Sequence, residues 1–255
     1  MLYLDAPFVT SPVLSPFWLA AVRLTLGTYA FATALAVLIK DGIDAPNARG
    51  YFSYFTDLSY IGLLSYLLAA GFQTLLYSRG APAPKSTRAA RALRYAHGVL
   101  YSTITTFPVI VTAVYWSVLS SQETFSTTYS SWSNVSHHAL NTALACFEIL
   151  LTSAVPLPWL HLLYCILLLA LYLALAYVTH ASQGFYTYDF LNPSTEHAKL
   201  AGYIIGIAVG ECVLFAIVHY VIVLRNLLFA RYLGSSNREP EALDEWEEVH
   251  RPEAV

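Results

Sequence analysis

Charge is what this sequence has least of. Only 11% of its 255 residues are Asp, Glu, Lys or Arg, where a water-facing domain of this size carries about a quarter. The shortfall excludes a surface that faces water all round. Cysteine is scarce as well. Cys146, Cys165 and Cys212 all fall inside apolar stretches, with no CxxC and no paired framework, so they read as buried thiols rather than cross-links or metal ligands. Alternating strands of ~10 residues are missing, which excludes a membrane β-barrel. The first residues lack the basic start and short apolar run of a cleaved signal peptide, so the first apolar block is expected to be retained.

What is present is long apolar sequence. Hydrophobic residues make up 57% of the chain and the mean hydropathy is +0.54. They come in blocks near the ~20 residues that cross a ~30 Å hydrocarbon core. Six such blocks lie at 17–39, 51–77, 95–120, 134–155, 159–179 and 200–224. The expected fold is all-α, an integral membrane bundle of six transmembrane helices over residues 1–233. Pro108 is expected to kink the third span, and Pro156 and Pro158 to turn the chain between the fourth and fifth. The segment 234–255, with most of the acidic residues plus Pro240 and Pro252, reads as a disordered, solvated tail. No internal repeat is visible.

The loops set the orientation. Six spans put both termini and the 78–94 linker on one side. That side carries Arg79, Lys85, Arg88, Arg91, Arg94, Arg225, Arg231, Arg238 and Arg251, whereas Lys40, Arg49 and Lys199 fall on the other. Nine against three follows the positive-inside pattern, so both termini are expected in the cytosol. The Ser/Thr-rich loop at 121–133 has no Lys or Arg, as an outward-facing loop would.

This topology gives two polar residues the same depth. Thr56 begins the second span and His138 the fourth, both counted from the non-cytosolic surface. At ~1.5 Å per residue each lies about 6–8 Å below it. A hydroxyl and an imidazole at matching depth fit a nucleophile and its base. In the fourth span His138, Asn141, Thr142, Ala145, Glu148 and Thr152 recur at helical spacings and share one face. A carboxylate at mid-span costs about 2.5–3.5 kcal/mol to insert, so Glu148 should face the bundle, paired with Arg23, for which Glu211 is the other candidate partner. Asp57 follows Thr56 directly, and His180 ends the fifth span on the same side. Adjacent helical residues diverge by ~100°, so His137 is expected to point away from His138. Zinc held by His138, His180 and Asp57 or Asp189 is the competing chemistry, but no HExxH or close His/Asp spacing calls for it. No metal and no cofactor is therefore expected. The sequon Asn134-Val135-Ser136 abuts the fourth span and is expected to stay unmodified.

Three stretches resemble the androgen-induced-gene family of integral membrane proteins. One is Ala48-Arg49-Gly50-Tyr51-Phe52-Ser53-Tyr54-Phe55-Thr56-Asp57-Leu58, a short polar loop, then aromatics, then a threonine. The second is Asn134 through Glu148, with a His four residues after the Asn and a Glu ten after that His. The third is Tyr177-Val178-Thr179-His180 with Gly184, Tyr186 and Tyr188. The resemblance implies hydrolysis of fatty acid esters of hydroxy fatty acids, with Thr56 as nucleophile and His138 as base. Asn141 would orient His138 or donate to the oxyanion. Asp57 departs from the apolar residue expected after the threonine, and would orient an imidazole or cap the helix. The expected partners are the bilayer and a lipid ester within it, with no nucleic acid. The expected location is the endoplasmic reticulum or, second, the plasma membrane. The alternative is a non-catalytic membrane scaffold or receptor, or a small-solute carrier, in which the same polar residues bind helices together.

Overall fold

An apolar chain without water to satisfy its backbone must close its own N–H···O=C bonds, and helices do this locally. The computed structural model describes residues 6–44, 46–81 and 87–232, and among them there is no strand. The expected acidic tail at 234–255 and Lys85 lie outside the described residues. The helices are α1 (Ala6–Val9), α2 (Pro16–Asp44), α3 (Phe55–Ser78), α4 (Arg88–Val114), α5 (Thr128–Val135), α6 (Asn141–Leu151), α7 (Trp159–Gln183), α8 (Pro193–Glu196) and α9 (Ala198–Tyr232). Five stretches are long and apolar enough to cross a membrane: Pro16–Ile43, Phe55–Ser78, Arg88–Leu119, Trp159–Gln183 and Ala198–Arg231. The block expected as a fourth span forms a helical run over residues 128–151, but in three pieces. α5 leads through a wide π-turn, Ser136–Leu140, into α6. Its first turns, Thr-Tyr-Ser-Ser-Trp-Ser-Asn-Val, are polar, which sets this run apart from the other five.

α2 and α3 pack closely because glycine lets them. A Cβ on Gly27 would stand 2.9 Å from Leu68 Cδ2, and one on Gly71 would stand 3.0 Å from Leu24 and 3.1 Å from Arg23 Cβ. Small residues at such crossings bring two backbones together in place of a hydrophobic driving force. The approach at Gly71 also leaves space for Arg23, which is wholly buried. Its guanidinium grips Glu148 in two hydrogen bonds, Nε to Oε1 at 2.8 Å and Nη2 to Oε2 at 2.7 Å. Nη1 donates to Phe8 O at 2.7 Å and Thr74 Oγ1 at 2.8 Å. Four helices, α1, α2, α3 and α6, thus meet on one cation. Of the two glutamates that sequence offers Arg23, the structure selects Glu148. Glu211 is also fully buried, beside Thr106 and Cys165, and neither of its oxygens has a hydrogen-bond partner among the described residues.

α6 stops at Leu151, short of the expected end at 155. Thr152 leaves the helix with φ −110° and ψ 163°, its hydroxyl donating back to Glu148 O at 2.7 Å. Arg225 of α9 donates to Ile149 O and Ala154 O, satisfying carbonyls that the ending helix leaves open. The polar face expected on this run points inward: His138, Asn141, Ala145, Glu148 and Thr152 are all buried. α4 continues through Pro108, whose carbonyl accepts from Thr142 Oγ1 of α6 at 2.9 Å.

Removing one partner of a buried, hydrogen-bonded ion pair strands the other charge. Arg23→Ala or Glu148→Ala should each cost about 3–5 kcal/mol of stability, while Arg23→Met with Glu148→Leu should recover most of that loss. Thermal unfolding of the detergent-solubilised protein checks this. Equal losses in the single and double variants would contradict it.

Candidate active site

The N-terminus of α3, the C-terminus of α4 and the α5–α6 junction meet at the end of the bundle opposite Arg23. Tyr54, extended at φ −89° and ψ 133°, starts α3, so Thr56 and Asp57 fall in its first turn. α4 runs into a π-turn over Tyr115–Leu119, and the second π-turn, Ser136–Leu140, carries both histidines. A π-turn holds an extra residue and leaves some backbone groups without their α-helical partners. Here side chains take up those groups. Trp116 Nε1 donates to His138 O at 2.9 Å, and the Thr142 N–H donates to Asn141 Oδ1 at 2.6 Å. The two widened turns are therefore tied to each other directly.

Between these elements lies a pocket of about 310 Å³. Thr56, Asp57, His137 and His138 all line it, together with Tyr115, Asn134 and Tyr188. Thr56 and His138 are each 9% exposed. The structure thus brings the nucleophile and base expected from sequence to one pocket. No hydrogen bond joins them. The Thr56 hydroxyl lies 3.4 Å from that of Tyr188, and its N–H donates to Tyr188 Oη at 3.4 Å. Desolvation pushes the Tyr188 phenol above its ordinary value, which keeps it neutral. The His138 ring lies flat on Tyr115, centroids 3.5 Å apart and planes 2° apart, with Nδ1 buried and unpartnered. Tyr115 is held in turn by its hydroxyl, which donates to Asn134 Oδ1 at 2.6 Å. The Asn134 amide donates to Thr124 O and Ser130 Oγ.

The supporting candidates divide. Asp57 lines the pocket, but its carboxylate faces His137 rather than His138, with Oδ1 3.9 Å from His137 Nε2. Asn141 does not reach His138. Its Oδ1 accepts from Thr142 N and Thr112 Oγ1, and it is not among the lining residues. His180 stacks on Tyr186 at 3.8 Å, away from the pocket. Glu148 is spent on Arg23. Among the described residues no group of three or more His, Cys, Asp or Glu is arranged to hold a metal ion.

Sequence spacing missed His137. It is 4% exposed, stacks near Tyr60 at 4.3 Å, and lines the pocket beside His138. The expected ~100° divergence holds for an α-helix. Here both histidines lie in a π-turn, and both line the pocket. Tyr115 and Tyr188 were also unforeseen as walls of the site, because loop and helix-end residues are placed by tertiary packing.

A second cavity, about 190 Å³, adjoins the first. Its lining is almost wholly apolar, including Phe55, Ile110, Val111, Leu169, Leu173 and Ile207. Thr56, Tyr115, Leu119 and Tyr188 line both spaces. Thr56 therefore stands at a boundary between a greasy chamber and one lined by two histidines and an aspartate. Comparison of the chain with protein-family models, with curated proteins and with solved structures finds no match in any of the three.

Proposed function

We propose that this protein is an intramembrane hydrolase of lipid esters, with Thr56 as nucleophile and His138 as its base, carried by six membrane spans with both termini in the cytosol. The observation that carries this reading is the position of Thr56 on the wall shared by an apolar cavity and a pocket holding two histidines and an aspartate. An acyl chain lodged among Phe55, Ile110 and Leu173 would present its carbonyl at that wall. The alcohol half and water would occupy the polar side.

A threonine hydroxyl is a weak nucleophile and needs a base to take its proton. His138 accepts that proton directly or across one water, and returns it to the leaving alcohol. Catalytic hydrogen bonds in a ligand-free site are often long and close only on substrate. Tyr188, already next to the Thr56 hydroxyl, fixes its rotamer. The six-span topology rests on the basic residues of the 78–94 linker and on the inward polar face of the 128–151 run. It places the site near the non-cytosolic surface, where an ester carbonyl of a membrane lipid sits. Fatty acid esters of hydroxy fatty acids are the substrate class the resemblance implies, and the endoplasmic reticulum the membrane.

A carrier is the second reading. Its specific support is Glu211, a fully buried carboxylate without a hydrogen-bond partner among the described residues, since an ionisable group at membrane depth is costly to keep.

Purified protein in nanodiscs, given a branched fatty acid ester of a hydroxy fatty acid, should release free acid. Thr56→Ala and His138→Ala should each lower kcat by at least about 10²-fold, with Thr56→Ser retaining turnover and Glu211→Gln near wild type. Full activity in Thr56→Ala eliminates the assignment. Equal behaviour of Thr56→Ser and Thr56→Ala, with solute flux blocked in Glu211→Gln, favours the carrier.

A further inference from the structure

The second histidine and the aspartate have no task in the proton transfer just described. They line the same pocket as Thr56 and face each other, His137 buried and Asp57 partly so. His137 Nδ1 lies 3.0 Å from Ser133 O. A carbonyl oxygen only accepts, so Nδ1 carries the hydrogen, and in the neutral ring Nε2 carries the lone pair. Nε2 is buried and has no hydrogen-bond partner, although its residue lines the pocket. Its neighbour is Asp57 Oδ1, at 3.9 Å. Two acceptors set that far apart do not bond to each other. A small opening of the two side chains admits one water between them, and that water, giving one hydrogen to each, satisfies both.

We propose that Asp57 and His137 form the site for the hydrolytic water, and that His137 is the base of the second half-reaction. This deepens the esterase reading and rests on it. The first half-reaction leaves a threonyl ester on Thr56 and releases the alcohol. The water held at Nε2 then gives that nitrogen a proton as its oxygen bonds to the ester carbonyl carbon. The tetrahedral adduct collapses, the bond from that carbon to Thr56 Oγ1 breaks, and the proton on Nε2 passes to the threonine oxygen. The products are the free acid and the original hydroxyl. Asp57 accepts the other hydrogen of the water, and its charge stabilises the imidazolium formed in between. Thr56 and Asp57 line the same pocket, so this water shares the space of the acylated oxygen.

The two histidines then have separable effects. His138 is set flat on Tyr115 with no partner fixing its tautomer, and it serves acylation. His137 is fixed by Ser133 and serves deacylation. A variant lacking the second base should acylate normally and stall as the acyl-enzyme.

The test uses full-length protein in nanodiscs with a chromogenic long-chain ester. His137→Gln and Asp57→Asn should show a pre-steady-state burst of alcohol near one per protein, and intact mass should reveal one acyl group on Thr56. Steady turnover should fall at least about 10²-fold, the range typical of losing a general base. His137→Ala with added imidazole should regain turnover, which a merely structural role for the ring would not allow. His138→Gln should show neither burst nor adduct. Loss of the burst in His137→Gln and Asp57→Asn together, without imidazole rescue, overturns the water-site assignment but leaves the esterase standing. Wild-type protein that neither turns over ester nor forms an adduct overturns both.

Discussion

The bundle is organised around one interaction, the buried ion pair of Arg23 and Glu148, in which polar groups carried inward by apolar helices satisfy each other. The pair is sealed from solvent, bonded at two points, and extended to Thr74 and the Phe8 carbonyl. It fixes the rotation of α6, because Glu148 can face only one way. With Glu148 inward, Ala145 and Asn141, one and two turns before it on the same face of α6, are buried as well. His138 lies beyond them in the π-turn and is buried too.

The second constraint is local. Two π-turns meet at the site, one ending α4 and one joining α5 to α6. Each leaves backbone groups that side chains must meet, and the Trp116 indole and the Asn141 amide oxygen do so. The widened turn carries both His137 and His138, and both line one pocket. Irregular backbone at this depth is tolerated where it lines a cavity. The cavity here is the one that Thr56 borders.

Much of this was legible in the sequence, for physical reasons that can be named. Long apolar blocks read directly as helices, and a carboxylate at mid-span had to turn inward, so the inward face of residues 138–152 followed. The matching depth of Thr56 and His138 was an expectation from the span topology, and the structure brings the two residues to one pocket. Other features depended on tertiary structure. Sequence does not announce a π-turn, and it is packing that brings His137 into the pocket of His138 and sets Asp57, expected to orient an imidazole or cap the helix, facing His137. Asn141 has the right spacing to help His138, but its oxygen is taken by the Thr142 N–H and Thr112, and its buried Nδ2 bonds to neither His138 nor any other group among the described residues. His180 shares the depth of the site yet stacks on Tyr186 instead, because the loop after α7 folds back on the helix end. The fourth block proved to be a run in three pieces, its polar start setting it apart from the five uniformly apolar helices.

The central claim is that the Thr56 hydroxyl is an activated nucleophile and not one more hydroxyl bonded within a bundle. A fluorophosphonate reacts only with such a group, and peptide mapping reports which residue it marks. The account predicts a single adduct on Thr56 in the folded protein, absent after denaturation and absent in His138→Ala. An unlabelled wild-type protein, or label at any other hydroxyl, would contradict it.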